Sequence, residues 1–292
     1  AIQTKGLKIN GVLGEHLFKL KAIRETSEIE NADLVIVTTK TYDTLAASKS
    51  AKHLVDSGAS ILLIQNGLGT EEKVAKALNT TKVLRATTCM GALRKTPGVV
   101  TATGCGLTEI GSRYPENYDL VDRLSEMMKA VGFNVRTSKN IEGVVWTKTL
   151  VNCGINPVGA LTGLTNGEVY RNKALRGLIV RLVKEAVQVV EALGVELTTE
   201  DPVRYALGTA KATGDNVNSM LQDLQAGKRT EIDAITGEVI RLAKQYGIET
   251  PSSEAVYALV KALESKCLEE GGEMGETDIL AIDDLVEAIT GE

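Results

Sequence analysis

Apolar and polar positions follow two different rhythms along the chain. Up to about residue 138, short apolar runs alternate with amphipathic stretches. Leu34-Val35-Ile36-Val37 precedes a helical pattern from Leu45 to Val55, and Ser60-Ile61-Leu62-Leu63-Ile64 precedes the turn Asn66-Gly67-Leu68-Gly69. A helix from Thr70 to Leu78 follows, with Thr70 as the expected N-cap. Continuous runs of four or five β-branched and leucine residues, each followed by a helix, predict a parallel sheet covered on both faces. Lys82 to Met90 predicts a further strand. Val99 to Thr103 and Leu107 to Ile110 predict a hairpin around Gly104-Cys105-Gly106, and Phe133 to Ser138 predicts a last strand.

After Asn140 the period becomes that of a helix. Leu178, Ile179, Leu182, Val183, Ala186, Val187, Val190 and Leu193 draw one apolar stripe ended by Gly194. Further helices are expected at about 200–211, 215–226, 229–246 and 251–269, the last opened by Pro251-Ser252-Ser253-Glu254. The fold class is therefore α/β: a Rossmann-type doubly wound sheet followed by an all-α domain. The expected boundaries are 1–138 for the dinucleotide-binding half, 139–270 for an all-helical substrate and dimerisation half, and 271–292 for an acidic tail.

Composition narrows the function. The 292 residues are 43% hydrophobic and 24% charged, an ordinary globular balance, and the apolar runs fall far short of a membrane span. The net charge of −5 is concentrated at the end, where the last 24 residues hold nine acids and no base. The remaining body carries 29 acids against 33 bases and is mildly basic, at +4. That is too weak for a nucleic-acid stripe and suits a small anionic ligand. Cysteines at 89, 105, 153 and 267 and histidines at 16 and 53 form no metal-ligand spacing. The cysteines read as small buried hydrophobes in a reducing cytoplasm. The opening residues from Ala1 show no signal-peptide pattern and read as a cut start.

Some polar residues do not fit a bland surface. Lys40 and Asn66 each follow a buried strand, which in a parallel sheet puts both at the carboxyl edge where open α/β folds bind ligands. Lys148, Asn152 and Asn156 are spaced i, i+4 and i+8 along a helix starting near 141, among Val144, Trp146, Leu150, Val151 and Ile155. Pro157 disfavours helical geometry at Asn156, so the helix is expected to end there. A cation and amides on one face, with Asn166 in the next turn, suit a small carboxylate bearing hydroxyls. Asn216 to Asp223 and Lys228 to Asp233 read locally as two helix starts, capped near Asp215 or Asn216 and near Arg229 or Thr230. Gly67-Leu68-Gly69 lacks the third glycine of a dinucleotide fingerprint, and Glu71 and Glu72 would repel a pyrophosphate at the helix start.

The runs Thr39-Lys40, Gln65-Asn66-Gly67-Leu68-Gly69-Thr70-Glu71, Trp146 through Pro157, Asn166-Gly167-Glu168, Ser219-Met220-Leu221-Gln222-Asp223 and Thr230-Glu231-Ile232-Asp233 resemble the ketopantoate reductase (2-dehydropantoate 2-reductase) family. The likeness runs in order from Ala1 to about Cys267. It implies reduction of 2-dehydropantoate (ketopantoate) to pantoate by NADPH or NADH, on the route to pantothenate and coenzyme A. It also implies a cytoplasmic enzyme with a small-molecule substrate, no nucleic-acid, membrane or metal partner, and a homodimer as the candidate assembly. By the same resemblance Lys148 matches the proton donor, and Asn66, Asn152, Asn156, Asn166 and Ser219 match substrate-binding positions. Lys40, Asn66, Ala92 and Glu231 match cofactor-side positions. Glu231 could hold Lys148 or a substrate hydroxyl.

Family members begin with a strand, a glycine-rich turn and a helix ahead of the segment resembling Ala1 to Gly6, so the phosphate cradle is expected outside this sequence. Asp43 stands where some relatives carry an amide near the ribose 2′-phosphate, which leaves the choice between NADPH and NADH open. Two other readings compete: a dehydrogenase of another small 2-oxo acid, and a catalytically silent sensor of pantoate, coenzyme A or a nucleotide. Retention of Lys148, Asn152, Ser219 and Glu231 together argues against silence. Thr277 to Ile289 could form a short docking helix or a frayed end.

Overall fold

The structure, a computed structural model, describes residues 1–271. The acidic tail and the helix considered at Thr277 to Ile289 lie outside the described residues.

The chain opens with α1 (Ile2–Lys5) and a small antiparallel pair, β1 (Leu7–Gly11) and β2 (His16–Phe18). Then come β3 (Leu34–Val37), α2 (Thr41–Ser50), α3 (Lys52–Asp56), β4 (Ser60–Leu63), α4 (Thr70–Leu78), β5 (Val83–Thr96) and β6 (Val99–Gly111). This half closes with α5 (Tyr118–Ala130) and β7 (Val135–Ser138). The strands form one sheet in the order β2-β1-β6-β5-β4-β3, with β7 also on β6. β3, β4 and β5 run parallel, whereas β5 and β6 are antiparallel, so the sheet is mixed rather than parallel throughout. Its core lies on both faces of the centre: Ile61, Leu63, Val74 and Leu78 pack on one side and Leu62, Leu84, Ile110 and Val121 on the other. Continuous apolar runs form here because alternate side chains point to opposite faces and both faces are covered.

Several local expectations are corrected. Gly104-Cys105-Gly106 is not a turn but lies within β6, which runs unbroken from Val99 to Gly111; the hairpin turn sits at Pro97-Gly98. A Cβ on Gly106 would come 2.4 Å from the carbonyl oxygen of Cys89, so the glycine permits close pairing beside a register shift between Thr88 and Met90. The N-cap of α4 is Gly69, with φ 71, and Thr70 is the first helical residue. The helix expected over 45–55 is two helices that meet at Ala51. Of the cysteines only Cys153 is buried; Cys89 and Cys105 are exposed, because they lie where β5 and β6 extend beyond the core.

The second half is helical throughout: α6 (Ile141–Thr162), α7 (Asn166–Arg171), α8 (Lys173–Leu193), α9 (Pro202–Ala212), α10 (Ser219–Gln225), α11 (Glu238–Gln245) and α12 (Pro251–Gly271). A π-helical turn at Asp233–Gly237 precedes α11, so the helix expected from 229 begins late and irregularly. The expectation that Pro157 ends α6 is also corrected: the helix continues to Thr162 with the proline inside it. Val158 and Ala160 beyond the proline are buried, and Thr162 Oγ1 donates to the Val158 carbonyl at 2.7 Å. Burial of that last turn outweighs the hydrogen bond the proline cannot make.

Two compact units emerge, Ala1–Thr149 with Leu193–Glu200, and Leu150–Ala192 with the chain from Asp201. In the second, Ile155, Val158, Ile179, Leu182, Val183, Ala206 and Val256 form one buried cluster, and Ala160, Met220, Ile232, Ile240, Tyr257 and Val260 form another.

Candidate active site

In the sheet-bearing unit, β3 and β4 end side by side. Lys40 takes the N-cap position of α2, three residues beyond β3, and Asn66 follows β4 in the loop to α4. Gln65 ties the two strand ends together, its Nε2 donating to the Val37 carbonyl at 2.7 Å. Its Oε1 is buried with no partner among the described residues, an acceptor left for a donor brought by a ligand.

The loop Gly67-Leu68-Gly69 turns back through two left-handed glycines, with φ 86 and 71. Beneath it lies Arg85 of β5, 1% exposed. Its Nη2 donates to the Gly67 carbonyl at 2.9 Å, its Nη1 to Thr70 Oγ1 at 3.2 Å, and its Nε stands 3.8 Å from Glu71 Oε1. Glu71 is itself buried, so it is no free anion at the helix start; Glu72 points outward and pairs with Arg113. The expected repulsion of an anionic ligand is thereby much reduced. Arg85 escaped the sequence reading, and its one signal is a charge set between Leu84 and Ala86 in an otherwise apolar run.

Lys148, on α6, is half-buried, and its Nζ donates to the Thr88 carbonyl at 2.7 Å. Thr88 lies at the register shift of β5, where the Thr88 and Thr108 hydroxyls meet at 2.8 Å and the Met90 amide donates to Thr88 Oγ1 at 3.2 Å. The irregularity thus holds a backbone carbonyl as a fixed rest for the ammonium. Ala92 lies further along the same strand, exposed, opposite Ala102. Asn152 and Asn156 follow Lys148 on α6 at one-turn intervals; Asn152 is half-buried and Asn156 buried.

In the helical unit, Asn166 opens α7. Its amide donates to the Asn216 carbonyl at 3.0 Å and its Nδ2 to Thr213 Oγ1 at 2.8 Å, while Oδ1 is buried without a partner among the described residues. The first bond joins α7 to the segment leading into α10. There Asn218, and neither Asp215 nor Asn216, is the N-cap, accepting from the Leu221 amide at 3.1 Å. Ser219 is the first residue of α10 and is exposed.

Glu231 is buried between two anchored neighbours. The Thr230 amide and hydroxyl both donate to Glu264 Oε2 at 2.6 Å. Asp233 accepts from Tyr257 Oη at 2.6 Å, Arg229 Nη2 at 3.1 Å and Lys261 Nζ at 3.3 Å, and Lys261 also donates to Glu264 at 2.8 Å. Burial pushes the Asp233 carboxyl up, but Lys261, Tyr257 and Arg229 outweigh it and hold it below the usual aspartate range. Burial lowers Lys261, yet Asp233 and Glu264 hold it above the usual lysine range. Burial, reinforced by Asp233, raises Tyr257 and keeps it a donor. Burial pushes the Cys153 thiol on α6 up to about 12, so it is no nucleophile.

Residues 1–114 match the family model described as ketopantoate reductase PanE/ApbA, and residues 140–264 match its C-terminal counterpart. The chain is 38% identical over 267 residues to the 2-dehydropantoate 2-reductase of Pyrococcus horikoshii and 35% over 266 residues to that of Pyrococcus abyssi. In both cases 91% of this chain and 86% of the relative are covered. Among solved structures, a PanE/ApbA family ketopantoate reductase from Ralstonia eutropha superposes with a TM-score of 0.83 at 29% identity, covering 91% of this chain and 87% of the other. A ternary structure of D-mandelate dehydrogenase with NADH and anilino(oxo)acetate gives 0.84 at 25%, with the same coverages. A dimeric ketopantoate reductase from Staphylococcus aureus gives 0.77 at 23%, covering 89% and 87%.

Proposed function

We propose how this chain, which belongs to the ketopantoate reductase family, uses its own residues to carry out that family's reaction. It is an NAD(P)H-dependent oxidoreductase that reduces 2-dehydropantoate to pantoate. The observation that carries the residue assignment is the ammonium of Lys148, set on the Thr88 carbonyl with two amide side chains following it on the same helix.

The reduced nicotinamide, when bound, supplies a hydride to the keto carbon. The residues at the carboxyl edge of β3 and β4 fit such a group: a cation at Lys40, an amide at Asn66, a glycine loop open to close approach, and the unpartnered Oε1 of Gln65. Lys148, seated on the Thr88 carbonyl, gives a proton to the substrate oxygen as that oxygen becomes an alkoxide. Thr88 fixes where the ammonium stands, so the proton is delivered at one place. Asn152 and Asn156 hydrogen-bond the carboxylate and the hydroxyl of the 2-oxo acid, and Asn166 Oδ1 accepts from that hydroxyl. Ser219 binds the same acid from the start of α10. Ala92, with no side chain beyond Cβ, lets the nucleotide approach β5, and Glu231 serves the cofactor side. The division of labour proposed is a nucleotide-binding half over 1–138 and a substrate half over 139–270.

No helix among the described residues is long and apolar enough to cross a membrane. Work in the cytoplasm, where reduced nicotinamide nucleotides are maintained, and assembly as a homodimer complete the reading. The dimeric S. aureus structure supports the latter, and light scattering measures it.

The test is a nicotinamide absorbance assay of the full-length protein with 2-dehydropantoate and each nucleotide. Turnover is expected. The likeness to D-mandelate dehydrogenase supplies the second reading, another 2-oxo acid. A kcat/KM higher for phenylglyoxylate than for 2-dehydropantoate would replace the first reading with the second.

A further inference from the structure

We propose that Arg85 is a positioning residue for the Asn66 loop, an inference that rests on the proposed function of that loop. The guanidinium is among the most deeply buried groups of the chain, on the central strand β5, and a charge is kept there only when its surroundings satisfy it. Its two guanidinium hydrogen bonds to Gly67 and Thr70 and its ion pair with Glu71 join it to the residues that follow Asn66.

A loop turning through two glycines has more backbone freedom than any other, so left alone it would present Asn66 in many orientations. The planar guanidinium removes that freedom by fixing the Gly67 carbonyl and the Thr70 hydroxyl at once, from a strand that cannot move. It also neutralises Glu71, the carboxylate at the start of α4 that would otherwise oppose an anionic cofactor near the loop. Both effects favour nucleotide binding more than the proton transfer at Lys148.

Arg85→Met keeps the bulk of the stem and removes the charge. Because it strands the Glu71 carboxylate, it is paired with the double variant Arg85→Met/Glu71→Gln, which removes both charges. Val121→Ala, a buried change elsewhere in the sheet-bearing unit, is the control for general loss of stability. In the full-length protein, amide exchange at residues 67–71 without ligand is expected to quicken by about tenfold in the double variant. The nucleotide KM is expected to rise about tenfold, with kcat within about threefold of the parent. Val121→Ala should lower Tm and change neither. The proposal is overturned if the folded double variant keeps both loop exchange and nucleotide KM within about twofold of the parent. A faster loop with an unchanged KM overturns it too, leaving Arg85 a staple of the fold alone. So does a control that reproduces the same changes. A parent protein that reduces neither 2-oxo acid sinks the functional reading instead, while loop exchange still decides whether Arg85 orders the loop.

Discussion

At the scale of single residues, the chemistry rests on few atoms and each can be removed. Lys148→Ala is expected to lower turnover of 2-dehydropantoate by about 10²-fold to 10⁴-fold, the usual contribution of a positioned general acid. Nucleotide affinity, measured by titration, should change far less. A variant retaining more than half the parent rate would take the proton transfer away from Lys148. Asn152→Ala and Ser219→Ala should each raise KM for the 2-oxo acid, corresponding to about 1–3 kcal/mol if the substrate is left with an unpaired polar group. Asp43 is exposed in the first turn of α2, and the family resemblance implies a place near the ribose 2′-phosphate, where an anion is expected to disfavour NADPH. Asp43→Asn should therefore shift the ratio of kcat/KM for NADPH over NADH upward by about tenfold, some 1.4 kcal/mol. The residues proposed for these roles stand out in sequence because side-chain chemistry at fixed spacing survives there: a lysine and two asparagines one turn apart, an Asn-Gly turn after an apolar run. Arg85 was not legible. Its meaning depends on which loop folds back over β5, and nothing local in Leu84-Arg85-Ala86 encodes that.

The elements show where local rules win and where packing overrides them. β3, β4 and α4 stand where β-branched runs and an amphipathic period put them, because burial on a sheet or helix face imposes that period directly. The misread hairpin in β6 and the misplaced end of α6 share a cause. Glycine and proline weaken strands and helices in isolation, yet here Gly106 is needed for close strand pairing and the turn beyond Pro157 is held by its buried side chains. The link between α12 and the Glu231 segment was invisible for a related reason, since it joins residues more than thirty positions apart, as in Thr230 to Glu264. Glu264→Ala would leave the buried Thr230 amide and hydroxyl unpaired, while Lys261 keeps Asp233, costing about 1–3 kcal/mol by denaturant titration. The pH dependence has a definite sign. Asp233 is held below its ordinary value, so its contribution is present above the ordinary aspartate range and fades as pH falls through its lowered value. Lys261 is held above its ordinary value, so its contribution is present below the ordinary lysine range and fades as pH rises through its raised value. The gap in Tm between the parent and Asp233→Asn should thus be widest near neutrality and close in strong acid; a gap that persists there would rule out the carboxylate as its source.

Over the whole molecule, a nucleotide that binds only the folded chain should raise stability by about 2.7 kcal/mol at a hundred times its Kd, and the nucleotide giving the larger thermal shift at equal concentration is the preferred one. The passage from strands to helices was readable as a change of period near residue 139, although the compact units part at Thr149 and Leu150 and the first also takes Leu193–Glu200; the mixed strand order was not readable, because strand direction depends on how chain segments return and not on their composition. Where β5 shifts register, Gly106 lets β6 come close beside Cys89, and the same irregularity holds the Thr88 carbonyl on which Lys148 rests. A methyl group at that glycine would meet the Cys89 carbonyl oxygen at 2.4 Å, so one of the two strands would have to give way. The hydrogen atom at residue 106 thus acts as a machinist's clearance: Gly106→Ala should lower Tm and reduce turnover more than nucleotide affinity, and unchanged turnover would show that the seat of Lys148 tolerates the shift.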